Sequence, residues 1–361
     1  MKPVLSITTA MIILAACSRA AEPWGLKSGT PELQSAVALA MGPEDILFIG
    51  DTKSAAVIAI ATGDLQGDPA SADVSIKGFD QAIADLCGPD PRINDLVANP
   101  RTGTTFLSVA TEDGPAICRV DSGGKLSRLP LEDVPFARAV LPDAPEDKVV
   151  QRGRRRRNPR DDAITDIAFY EDRILVSGLR SGEAPSSVRE FSFPFSKIDK
   201  GTGIAIYHGA HGREEDYAAA RTFVTLLIDG EPNLLAAYTC TPLVKIPLDQ
   251  LREAQNSVQG TTVAELGNRN RPLDMIAYVK GGDEYLLLSN SRRGVMKIRT
   301  SGLDTAEGLG EPVRGGGTAG HTYDSVDSME GVLQMDKINE GYAIVLLSSG
   351  DGMDLKTVSL P

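Results

Sequence analysis

Only three histidines occur among the 361 residues, and two of them fall in Tyr207-His208-Gly209-Ala210-His211-Gly212. The pair follows a short apolar run from Ile204 to Tyr207, which predicts a strand entering a loop at this point. Gly209 and Gly212 allow the backbone to turn tightly enough for both imidazoles to face one point. Neutral imidazole is the commonest metal ligand near pH 7. Cys240, at the end of a later predicted strand, can add a thiolate, and Glu214, Asp216 or Asp274 can add an oxygen. Two His and one Cys suit copper or zinc better than calcium. The blander alternative is two solvent-facing histidines beside a buried structural cysteine.

A second constellation is acidic. Asp95, Asp166, Asp274 and Glu330 stand at like places in repeated segments. If those segments close around an axis, the four acids ring one funnel and could hold a cation, calcium included, or a cationic ligand. Alternatively, each accepts backbone N–H bonds at a turn. The basic run Arg152 to Arg160 reads most simply as a solvated loop. The Gly-rich stretch Gly315 to His321 has no Lys-Ser/Thr after it, so it is a connector and no P-loop, with His321 a remote site residue. Motifs for covalent haem, dithiol exchange, zinc proteolysis and the hydrolase elbow are all missing from the sequence.

The elements that must position these residues are strands. Ile46–Asp51, Phe106–Thr111, Ile174–Leu179, Leu234–Thr239, Tyr285–Asn290 and Ala343–Ser349 are short apolar runs. Each is followed by a turn and a partner: Ala56–Ile60, Ala116–Val120, Val188–Phe191, Leu243–Ile246, Val295–Ile298 and Leu355–Val358. The unit recurs about every 50 to 70 residues. Several units open with a further strand that carries the acid: around Asp95, Asp166 and Asp274, with Met329-Glu330-Gly331-Val332 in the last. A lone hairpin cannot bury its apolar side, whereas sheets packed around an axis can. The expectation is an all-β chain forming a single β-propeller of about six blades, a seventh left open, over residues 41–361. Helices are limited to short pieces at Ala82–Leu86 and Asp216–Arg221.

This repeat shape resembles the exported β-propellers of the YVTN and NHL-like kind over roughly residues 40–361, without a diagnostic tetrapeptide. The resemblance implies architecture. Trp-Asp signatures are missing, and the sole Trp, Trp24, precedes the repeats.

Before the repeats, Lys2 and the apolar stretch Val4–Ala16 form a signal-peptide pattern, too short to span a bilayer as an ordinary helix. It ends in Leu14-Ala15-Ala16-Cys17, which resembles the bacterial lipobox; ordinary cleavage after Ala20 or Ala21 is the alternative. The expected organisation is a signal peptide over 1–16, a tether over 17–40 lipidated at Cys17, and then the propeller. Ser18 after that Cys favours an outer-membrane anchor facing the periplasm over inner-membrane retention. Export agrees with the cysteines, since Cys87 and Cys118 fall in one repeat unit and are expected to pair as a disulfide. A net charge of -12 and 5% aromatics exclude a general nucleic-acid binder. Two functions follow as expectations. One is a membrane-tethered, non-enzymatic module binding a ligand or an envelope protein partner. The other is a metal- or quinone-dependent enzyme or electron-transfer accessory using His208 and His211, with Cys240 or Asp274, in the funnel, for which six-bladed quinoprotein sugar dehydrogenases offer a precedent.

Overall fold

The computed structural model describes residues 23–152, 155–350 and 352–361. The signal-peptide segment and Cys17 therefore lie outside the described residues. Among these residues there are six sheets of four to six strands and one separate two-stranded hairpin. No helix of the described residues is long and apolar enough to cross a membrane.

The predicted strand pairs all form, because each has both faces covered and so reads as an unbroken apolar run. In Ile46–Asp51, Ile46 and Phe48 enter one buried cluster, while Leu47 and Ile49 enter another on the opposite face. The same alternation recurs: Leu234 and Ala236 face one neighbour, Leu235 and Ala237 the other. Ala343 and Val345 again part from Ile344 and Leu346. Six buried clusters result, one for each interface between neighbouring sheets. The chain is a six-bladed β-propeller whose core is divided among those interfaces. Each fully buried Leu or Ile contributes about 1.5–3 kcal/mol.

Blades are numbered here by the order in which the chain lays down their innermost strands: Leu39–Met41, Arg92–Ala98, Asp166–Tyr170, Thr222–Ile228, Pro272–Lys280 and Val332–Lys337. Around the axis the order is 1-3-4-5-6-2, returning to 1. After three strands of blade 1 the chain steps backwards, leaves Ser75–Ile76 as the outermost strand of blade 6, and builds blade 2. It then returns through Val134–Val140, which pairs with Ala56–Ala61 as the fourth strand of blade 1. Two blades are thus completed by non-consecutive pairings. The propeller also takes in residues before 41, since Lys27–Gly29 pairs with Val134–Val140 and Leu39–Met41 lines the axis.

Three smaller expectations change. Of the two short helices, Phe79–Cys87 forms, whereas residues 216–221 are bends and coil. The Sγ atoms of Cys87 and Cys118 lie 3.3 Å apart, beyond the ~2.05 Å of a disulfide bond. The helix end sits against the third strand of blade 2, so the expected disulfide is corrected to two buried free thiols in contact. Within the basic run, Val150–Arg152 and Arg155–Arg157 pair as a hairpin rather than a plain loop. Arg160 then anchors the following turn to blade 1 by donating to the Lys53 carbonyl at 2.9 Å.

Candidate metal centre in the propeller funnel

At one end of the propeller axis lies a funnel of about 1130 Å³. It lies at the end where the inner strands begin, and its wall carries both predicted constellations: Asp95, Asp166 and Asp274, and His208, His211 and Cys240.

The acids first. Asp166 of blade 3 accepts its own Ile167 N–H and, at 2.8 Å, the Phe223 N–H of blade 4. Asp274 of blade 5 accepts Met275 and, at 2.7 Å, Met335 of blade 6. Asp95 of blade 2 accepts Leu96 and, at 2.8 Å, Leu39 of blade 1. The fourth member is Asp336, which accepts Lys337 and, at 2.7 Å, Ala98 of blade 2. Glu330 does not join them: it is exposed at the end of the 3-10 turn Asp327–Met329. Each of the four aspartates thus ties its inner strand to the next blade in one rotational sense. The Gln334 amide, with its NH2 towards the acids, donates to Asp95 Oδ1 at 3.1 Å and Asp274 Oδ2 at 3.0 Å.

Burial drives all four acids upward. Asp166 is pushed up to about 7 and Asp336 to about 6, in each case against backbone N–H bonds that pull the other way. Asp95 stands well above the carboxylate range, by burial first and then by the charges of Asp274 and Asp166. Asp274 does likewise, with Asp166 and Asp336 as its charged neighbours. Their oxygens are occupied by backbone donors, which is the turn-capping role carried from strand to strand.

His208 ends the fourth strand of blade 3, Thr202–His208, and a tight turn returns the chain as Arg213–Glu215. The turn closes by the Gly212 N–H donating to the His208 carbonyl at 2.8 Å. Register pairs Ile206 with Glu215 and His208 with Arg213, so the two-residue period puts His208 and Glu215 on one face. Glu215 Oε2 bonds His208 Nδ1 at 2.9 Å, and Oε1 bonds His211 Nδ1 at 2.8 Å. Burial would raise the Glu215 carboxyl. Hydrogen bonds from Tyr217, His208, His211 and Arg213 outweigh it and push the group down to about 2. His208 is 3% exposed and lies below the ordinary imidazole range, by burial first, with the His211 charge adding to it and the Glu215 bond opposing.

With Nδ1 committed to Glu215, the Nε2 of His208 is buried and has no partner. The imidazole rings of His208 and His211 stand 3.9 Å apart between centroids, tilted by 39°. Cys240 comes from the turn between the second and third strands of blade 4, held in a left-handed conformation (φ 69) by its N–H bond to the Asn270 carbonyl at 2.9 Å. One ligand atom from each of His208, His211 and Cys240 lies within 4.8 Å of the other two. Ligands of a tetrahedral ion with bonds of about 2.0–2.3 Å stand roughly 3.3–3.6 Å apart.

The alternative oxygen ligands separate. Glu214 falls on the opposite face of the hairpin from His208, and Asp274 is occupied by blade 6. Sequence reasoning missed Glu215 and Glu265. Glu265, fully buried, supports the His turn from below: Oε2 accepts the Ala210 N–H at 3.1 Å, and Oε1 has no partner. Burial pushes its carboxyl up to about 7, against the bonds from Ala210 and Gly209. A side chain at Gly209 would meet Glu265 Oε2 and Val313 at 3.0–3.1 Å, so this glycine serves close approach. His321 lies away from the funnel and bonds the Arg299 carbonyl at 2.6 Å.

The fold class is therefore a six-bladed propeller with a polar funnel. No protein-family model matches the chain, and no curated protein matches it in sequence. Among solved structures it is similar to the plexin A4 extracellular region, at 10% identity and a TM-score of 0.44 over 93% of this chain and 40% of that one. It spans less than half of the plexin chains it matches. It is also similar to the PQQ-bound aldose sugar dehydrogenase of Streptomyces coelicolor, at 11% identity and a TM-score of 0.33, covering 92% of this chain and 97% of that one. A Thermus thermophilus oxidoreductase described as a glucose dehydrogenase matches at 13% identity and 0.34, over 92% and 100%. These likenesses concern the fold alone.

Proposed function

We propose that this chain is a metal-binding propeller module of the cell envelope, tethered by a lipid at Cys17, that holds one zinc or copper ion on His208, His211 and Cys240. The single observation that carries the metal is the buried, unpartnered Nε2 of His208. A buried polar atom without a partner is costly, and a metal ion relieves that cost at this atom. Glu215 supports the reading, because a carboxylate on the second ring nitrogen is the usual way of orienting a metal-bound imidazole. Three protein ligands beside an open funnel leave a position for an incoming ligand, which makes binding at the metal the working role. The tether and the envelope location rest on the sequence from Lys2 to Cys17. Elemental analysis of the purified mature protein tests the metal: one equivalent of zinc or copper in the wild type, lost in His208→Ala and in Cys240→Ser. Metal-free wild type after incubation with either ion sinks the proposal.

A further inference from the structure

The wall beside the metal ligands is basic, and its charges are unevenly matched. Arg157 and Arg221 both pair with Asp162, Arg221 at 2.7 Å. The third, Arg271, has no hydrogen bond or ion pair from its guanidinium among the described residues, and lies within electrostatic range of Arg221 and Asp162. Arg221 itself keeps a buried Nε without a partner. Arg271 directly follows Asn270, whose carbonyl takes the Cys240 N–H at 2.9 Å, so its backbone adjoins that of a proposed metal ligand. All of these groups face one cavity of about 1130 Å³.

We infer that the funnel takes a small hydrophilic carboxylate, bound through the metal and the Arg271 guanidinium; this rests on the metal reading above. One thiolate and two neutral imidazoles leave a divalent ion with a net positive charge, and a planar guanidinium matches a carboxylate by two parallel N–H bonds. The cavity also holds an ionised carboxylate that chooses among anions. Asp162, paired with Arg157 and Arg221, repels a multiply charged phosphate more than a single carboxylate. Gln334 and Asn94 line the same cavity and offer amide partners to a hydrophilic ligand.

The test uses the full chain loaded with Co(II), whose visible absorption reports its ligand set, titrated with lactate and separately with inorganic phosphate. Lactate is expected to shift the spectrum saturably and phosphate to act more weakly. Arg271→Gln should keep the Co(II) spectrum and the melting temperature but weaken lactate by roughly tenfold or more. Co(II) bound at the His208 site with no lactate response overturns the inference and leaves the metal reading standing. So does an unchanged lactate affinity in Arg271→Gln, or phosphate binding as tightly as lactate. Failure of the wild type to bind Co(II), or equal binding by His208→Ala, overturns the metal reading and this inference together, and is seen before any lactate is added.

Discussion

The Asp166 carboxylate in the inner strand of blade 3 accepts the Phe223 N–H of blade 4 at 2.8 Å. Three further aspartates repeat the contact around the axis, each binding the blade on the same side. Such a bond joins two sheets where neither has a strand left to pair. Removing it leaves a buried N–H without a partner. Asp166→Ala and Asp95→Ala are each expected to lower stability by about 1–3 kcal/mol in denaturant melts. Glu330→Ala, at the exposed turn, should stay within about 0.5 kcal/mol. Equal effects at Asp166 and Glu330 would show that the ring holds nothing together.

The same acids set the pH dependence. Their folded values are raised, Asp166 to about 7 and Asp336 to about 6, so between about pH 4 and 7 the folded chain holds more protons than the unfolded one. Their contribution is complete below the unfolded carboxylate value and is lost as pH rises through the folded values. Glu215 works in the opposite sense: pushed down to about 2, it stabilises above the ordinary carboxylate value and is lost as pH falls towards 2. The melting temperature should therefore peak near pH 5 and decline towards pH 8. A melting temperature that rises steadily from pH 5 to 8 contradicts this account.

How much of this was legible in the sequence depends on where each residue's partners lie. The hairpins were readable because strands such as Ile46–Asp51 bury both faces and carry their pattern locally. Blade order was not, because Val134–Val140 chooses Ala56–Ala61 as its partner across the whole of blade 2. Asp95, Asp166 and Asp274 were found because an apolar residue follows each and marks the strand. Asp336 is followed by Lys337, and the neighbouring Met329-Glu330 imitates the pattern one turn too early. Glu215 escaped notice beside Glu214 and Asp216 because only the register of the His208 hairpin shows which of three acids faces the imidazoles.

Gln334 offers a sharper probe of the funnel. Its amide donates to Asp95 and Asp274 at once, which relieves two raised carboxyls with one neutral group. Gln334→Glu replaces that donor with a third acid. It is expected to destabilise the chain by about 1–3 kcal/mol at pH 8, and by much less at pH 5, where the acids are protonated. A penalty independent of pH would mean that the amide is not directed at the two aspartates.

The Glu215 carboxylate behind the two imidazoles predicts a graded result. Glu215→Gln keeps the shape but leaves one acceptor oxygen for two imidazole Nδ1 atoms and turns an NH2 towards the other. Loss of such a partner costs about 10–100-fold in metal affinity. The variant should therefore bind zinc more weakly than wild type but more tightly than His208→Ala, as read by competition with a chelating dye. Zinc affinity unchanged in Glu215→Gln would remove the carboxylate from the site.

The cysteines give the most direct readout, because burial distinguishes them. Cys87 and Cys118 are buried against each other, and burial first, with the Cys87 contact second, raises the Cys118 thiol. Both should resist alkylation in the folded chain. Cys240 is half-buried on the funnel wall and should be the first of these three to react with iodoacetamide. A metal ion on its sulfur removes the lone pair that attacks the reagent, so one equivalent of zinc should slow labelling of Cys240 about tenfold or more, as followed residue by residue by mass spectrometry. His211→Ala should abolish that protection while leaving the metal-free rate near the wild-type value, since the His turn does not bond the sulfur. Zinc that leaves Cys240 labelling unchanged, or that protects it equally in His211→Ala, would take the thiolate or the histidine out of the ligand set.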